Sequence, residues 1–104
     1  MRRGEVWWAE LPSPAGRRPV VLLSRDEAYE VRALVTIAPV TTRTRSIPSE
    51  VALGRAEGLP RRCVANLDSV TTIPKRLLTR RITTLPSLKL AAVDRALRFA
   101  LGLL

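Results

Sequence analysis

The chain has 104 residues, 18 basic and nine acidic, for a formal charge of +9, with one cysteine and no histidine. That length fits one domain over residues 1–104 with one modest core, and a hydrophobic fraction of 46% supports a folded chain. The composition excludes an intrachain disulfide, the usual His/Cys zinc sites and His-based catalytic pairs, while the charge points to a polyanionic partner.

Residues 4–11 (GEVWWAEL) alternate as a strand does, with Val6, Trp8 and Glu10 on one face and Glu5, Trp7 and Ala9 on the other. Proline, serine and glycine make residues 11–17 a turn. Residues 19–24 read as a buried strand with Pro19 at its start, where a missing N–H does least harm. The adjacent Asp26 and Glu27 read as a solvated turn.

Residues 33–41 (ALVTIAPVT) form another strand, in which Pro39 implies a bulge or an edge. A basic loop over residues 42–46 precedes a short strand at 49–53, and residues 54–62 read as a long turn. Residues 63–67 are a strand, 72–78 (TIPKRLL) one helical turn with Pro74 in its first turn, and 80–84 a last short strand. Leu90, Val93, Leu97, Leu101 and Leu104 recur at spacings of three and four, the signature of a terminal helix with one apolar stripe. The sum is a mainly β fold, a small antiparallel barrel or strongly bent sheet closed by a C-terminal helix.

The N-terminus lacks a signal-peptide apolar region, and the longest uncharged stretch, residues 33–42, falls far short of the ~18 residues of a membrane span. A protein of the cytoplasm, with no membrane association, is expected. Sixteen of the eighteen basic residues are arginine, whose planar fork matches phosphate oxygens bidentately. The acids are spread singly apart from Asp26–Glu27, so no metal-binding carboxylate cluster is expected, and no glycine-rich phosphate loop occurs. Cys63 has no histidine to activate it and reads as a small buried residue.

If the polyanion is RNA and the protein cuts it without metal, the accessible route is attack by the neighbouring 2′-OH on phosphorus. That route needs a proton acceptor, a proton for the leaving 5′ oxygen, and donors around the crowded phosphorane. Arginine suits the last task and serves proton transfer poorly, its pKa exceeding ~12. Threonine can donate to a phosphoryl oxygen, and an aspartate could accept the proton.

RRGEVWWAEL, GRRPVVLLS, TIAPVTT, VANLDSVTTIPKRLL and LAAVDRALRFALGL, in that order, resemble the MazF/PemK family of toxin–antitoxin ribonucleases over nearly the whole chain. The resemblance implies an SH3-like barrel, a homodimer, no cofactor, metal-independent cleavage of single-stranded RNA, and an antitoxin whose acidic tail lies over the RNA groove. It implies that Arg18, directly before Pro19–Val20, and Thr41, after Ala38–Pro39–Val40, form the catalytic pair, with Asp68 as an assisting acid. The loop before Arg18 is shorter than in many members, and Thr71 stands where an arginine is frequent. Both departures argue for altered specificity or a weakened enzyme, not for a different fold.

Each assignment has an alternative. Arg18 at a turn could be a plain surface charge, Thr41 an ordinary strand residue, and Asp68 the cap of the turn that follows. Arg17, Arg43 and Arg45 are candidate RNA-backbone contacts or solvated charges. Trp7 and Trp8 point to opposite faces, so one belongs to the core and the other stacks a base or meets a second subunit. The leucine stripe is core or dimer packing. Against the ribonuclease stand a gyrase-poisoning toxin on the same barrel and a catalytically inactive RNA-binding module. The presence of both Arg18 and Thr41 favours the enzyme.

Overall fold

In a computed structural model, which describes residues 1–103, the elements run β1 (Glu5–Glu10), β2 (Arg17–Leu22), α1 (Ala28–Val31), β3 (Leu34–Thr41), β4 (Glu50–Leu53), β5 (Cys63–Asn66), β6 (Thr71–Pro74), β7 (Leu78–Thr84) and α2 (Ser87–Leu101). The strands form one antiparallel sheet in the order β4-β5-β3-β2-β1-β7, with β6 also paired to β3. Among the described residues no ladder joins β7 to β4. The sheet is therefore strongly bent and barrel-like, not a closed barrel.

Strand β3 explains the bend. Along one edge it pairs with β2; along the other it pairs first with β6, through Leu34 to Ile37, and then with β5, through Val40 and Thr41. Pro39 lies where that edge changes partner, in a central strand, neither on a sheet edge nor at a recorded bulge. A residue without an N–H is tolerated where the ladder is interrupted. Pro19 likewise sits inside β2, at its third position: the ladder to β1 runs on to Arg17, while that to β3 stops at Val20. Of residues 72–78, expected as a helical turn, Thr72, Ile73 and Pro74 belong instead to strand β6, and the turn that follows is a short 3₁₀ piece at Lys75–Leu77. Pairing with β3 overrides the local preference there.

The bent sheet carries apolar residues on both faces, which is why the run VVLL shows no alternation. Val20 and Leu22 enter a core with Ala9, Tyr29, Val35 and Ile37, whereas Val21 and Leu23 enter a second with Val6, Ala38, Val40 and Val93. Complete burial of each Val or Leu contributes ~1.5–3 kcal/mol. Helix α2 closes the second core through Val93 and Ala96, with Leu90 and Leu97 packed at its margin. Leu101, expected in the stripe, is 58% exposed, and Leu104 lies outside the described residues. Helix α1, a single turn holding Ala28 and Tyr29 inward, follows the Asp26–Glu27 turn.

The N-terminal segment is clasped to this frame. Arg3 donates its backbone N–H to Asp26 Oδ1 (2.7 Å), Nε–H to the Leu23 carbonyl (3.0 Å) and Nη2–H to Asp94 Oδ1 of α2 (2.7 Å). Gly4 follows at φ +91°, and a Cβ there would approach Leu90 Cδ2 of the helix to 3.0 Å. Only glycine suits both the left-handed backbone and the close approach. Burial raises the pKa of the next residue, Glu5, but hydrogen bonds from Trp7 and the Arg2 backbone, with the charge of the amino terminus and Arg81, hold it below its ordinary value.

Candidate active site

The β1–β2 ladder places Ala9 opposite Arg18 and Glu10 opposite Arg17, two residues beyond the point where β2 leaves β3. Val20 stands opposite Pro39 at the end of the β2–β3 ladder, and Arg18 and Thr41 each lie two residues further along, on the same faces of their strands as Val20 and Pro39. Directly opposed residues of antiparallel strands share a face. Arg18, Pro39 and Thr41 together line a cavity of about 160 Å³.

Arg18 is aimed by the preceding turn. Its Nε–H and Nη2–H both donate to the Ala15 carbonyl at 3.2 Å, and among the described residues the Nη1 end of the fork has no protein hydrogen-bond partner. A guanidinium fixed before its ligand arrives loses less side-chain freedom on binding. Thr41 is held at the other wall. Its Oγ1 accepts the Arg43 backbone N–H at 3.2 Å, so the hydroxyl proton remains available to donate to a ligand oxygen.

The basic loop is folded toward the same cavity by a residue the sequence reading passed over. Glu50, at the start of β4, accepts the backbone N–H groups of Arg45 (2.9 Å) and Ser46 (3.0 Å) on Oε1. Ser46 takes a left-handed φ of 54° at this bend. The result brings Arg43 and Arg45 to the cavity beside Glu50, Asn66 and Ser69. Three guanidinium groups thus meet one carboxylate, an electropositive cavity suited to a phosphate. The signal for Glu50 was in the sequence: a lone carboxylate four and five residues after a basic loop can cap that loop's N–H groups.

Asp68 does not line this cavity. Its Oδ2 accepts the hydroxyl proton of Ser49 at 2.5 Å, and Ser49 is only 1% exposed. The carboxylate therefore satisfies a buried hydroxyl whose loss of a partner costs ~1–3 kcal/mol. Nor is Asp68 the cap of the turn at Leu67–Ser69: the Asn66 side chain caps it, accepting the Asp68 N–H at 2.9 Å.

Arg17 faces away from Arg18. Its guanidinium lies 4.3 Å from the centroid of the Trp8 ring, and its Nε is 3.4 Å from Glu10 Oε1. Trp7, on the opposite face, packs against the core and donates Nε1–H to Glu5 at 2.9 Å. Cys63 is buried, and burial together with the nearby Glu57 carboxylate pushes its thiol pKa up. It is a packed thiol, not a thiolate nucleophile.

Residues 2–101 match the model of the PemK-like, MazF-like toxins of type II toxin–antitoxin systems. The chain is 42% identical over 99 residues to a probable endoribonuclease MazF5 of Mycobacterium tuberculosis, covering 94% of this chain and 90% of that protein. Among solved structures it resembles the Mycobacterium tuberculosis toxin MazF-mt6 with a TM-score of 0.88 at 31% identity, covering 95% of this chain and 97% of that one. An endoribonuclease in complex with its cognate antitoxin, from a mycobacterial species, aligns with a TM-score of 0.87 at 27% identity, covering 100% of this chain and 97% of that one.

Proposed function

The chain belongs to the family of PemK-like, MazF-like toxins of type II toxin–antitoxin systems, and from that premise we propose that this toxin endoribonuclease holds the scissile phosphate of single-stranded RNA between Arg18 and Thr41. The observation that carries the proposal is the shared cavity: a guanidinium aimed by the Ala15 carbonyl and a threonine hydroxyl with a free proton, two strand ends facing one another. Arg43 and Arg45 extend the positive charge along the RNA backbone.

The chemistry follows from these groups. The 2′ oxygen attacks the adjacent phosphorus and forms a 2′,3′-cyclic phosphate, while the 5′ oxygen departs. Negative charge grows on the non-bridging oxygens, where Arg18 and the Thr41 hydroxyl donate hydrogen bonds that strengthen as the phosphorane forms. Glu50 is the carboxylate in the cavity, and its Oε2 accepts no protein hydrogen bond among the described residues. It takes the 2′ proton in this reading, whereas the resemblance put the assisting acid at Asp68. The leaving oxygen takes its proton from water entering the open cavity. No step calls on a metal ion, since guanidinium groups supply the positive charge.

The purified protein in EDTA is expected to cut a single-stranded oligoribonucleotide, leaving one fragment with a 2′,3′-cyclic phosphate and the other with a 5′-hydroxyl. Mass spectrometry of the fragments checks both ends. Fragments ending in 5′-phosphate, or cleavage that disappears with EDTA, would replace internal attack by a water- or metal-dependent route.

Two partners complete the reading. The positive cavity suits an acidic antitoxin segment, which would cover Arg18, Arg43 and Arg45 and exclude RNA by charge and bulk. A second copy of the chain suits the apolar surface around α1 and the end of α2, where Val31, Leu34, Leu101 and Leu103 are 75, 42, 58 and 60% exposed. Leu34 and Leu101 line a groove there of about 440 Å³. Sedimentation at micromolar concentration is expected to give a dimer of the 11.5 kDa chain; a monomer at that concentration would remove the dimer from the proposal.

A further inference from the structure

A second cavity lies on the other side of the β3 end. Its volume is about 200 Å³, and Trp8, Pro19, Leu59, Pro60 and Cys63 form its walls, with Arg61 among its lining residues. Thr41 lines both cavities. The wall at Leu59 and Cys63 is fixed, since those side chains are only 2% and 7% exposed and the Leu59 N–H is bonded to the Gly54 carbonyl at 3.1 Å. The Trp8 wall is braced from outside by the Arg17 guanidinium.

We propose that this cavity receives the nucleobase next to the scissile phosphate, so that Trp8, Leu59, Pro60 and Arg61 form a base-binding subsite and help determine which RNA sequence is cut. The inference rests on the reading of Arg18 and Thr41 as the phosphate site. A nucleobase has apolar faces and polar edges, and this slot offers the complement: apolar walls, with Thr42 and the Arg61 guanidinium among its lining residues. Charge favours RNA over an acidic peptide's apolar anchor only in combination with continuity. The phosphate held at Thr41 brings its own nucleoside to the rim, and among the described residues no carboxylate lines the second cavity to repel the backbone. Arg61, a donor without acceptors, is suited to a carbonyl on the edge of the base.

The test uses the full-length protein and a short oligoribonucleotide cut at one mapped bond, with an abasic ribose placed in turn on each side of that bond. Wild type is expected to cut the abasic substrate about 10-fold more slowly at one of the two positions, the size of a lost base stack. Thr42→Phe, which fills the mouth from an exposed position, and Arg61→Gln, also exposed, should cut the intact RNA more slowly and lose most of the difference between intact and abasic substrates. Both are checked for folding by circular dichroism. An equal abasic penalty in wild type and both folded variants overturns the subsite, as does no penalty at either position in wild type. Variants that keep wild-type RNA discrimination but bind an acidic antitoxin peptide less tightly would assign the cavity to the peptide and overturn the base subsite. Failure of wild type to cut any RNA is a different result, overturning the phosphate site and the subsite with it.

Discussion

Arg18→Ala is expected to reduce RNA cleavage by at least 10³-fold with little change in thermal stability. Removing a single neutral donor from a site of developing negative charge typically costs ~10²–10³ in rate. Arg18 adds a full charge to its donors, and its orientation is set in advance by two bonds to the Ala15 carbonyl. The same residue contributes little to the fold: among the described residues its side chain bonds only to that one carbonyl, and it belongs to neither core. Rate and stability therefore separate. Arg18→Lys sharpens the test, because an ammonium is a point charge that cannot bond Ala15 through one edge and a phosphate through the other. It should recover only part of the loss. Single-turnover cleavage beside a melting curve measures both quantities, and an Arg18→Ala protein that melts like wild type and cuts within tenfold of it would take Arg18 out of the mechanism.

Replacing the ribose at the cleavage position by 2′-deoxyribose is expected to stop cleavage at that bond altogether. The nucleophile is an atom of the substrate, so no side chain can substitute for it. The change removes one hydroxyl and leaves the phosphate and both bases intact. Contacts from Arg18, Arg43 and Arg45 would persist, and the modified strand should compete with intact RNA at a similar concentration. Binding without cleavage is the distinguishing result. Normal cutting of the modified bond would mean that water attacks phosphorus and that the cavity must activate it.

What the sequence discloses here follows from range. The apolar run behind Pro19, the β-branched strand ending at Thr41 and the terminal helix are set by neighbours a few residues away, and all three appear in the structure. Bringing Arg18 and Thr41 to one cavity needed more: the resemblance named the pair, and the ladder ending at Val20 and Pro39 carries both side chains to that cavity. Asp68 illustrates the limit. Its position near the end of β5 is local information, but its partner Ser49 lies 19 residues away and nothing local points to it. The helical turn expected from Thr72 went astray for the same reason, since the strand character of Thr72, Ile73 and Pro74 comes from pairing with Leu34, Val35 and Thr36 across the fold. Glu50 was legible in principle, because its bonds to Arg45 and Ser46 are local. The two-faced core was not, since an uninterrupted apolar run does not say which neighbour each residue meets.

The bond from Arg18 to Ala15 has an evolutionary consequence. The aim of the Arg18 guanidinium is written in the carbonyl of a surface turn, while the cores beneath belong to other residues. Turns accept insertions and exchanges that cores refuse. Lineages of this fold can therefore retune how the guanidinium meets its target by editing residues 12–16 alone. One scaffold can diversify its targets without being refolded.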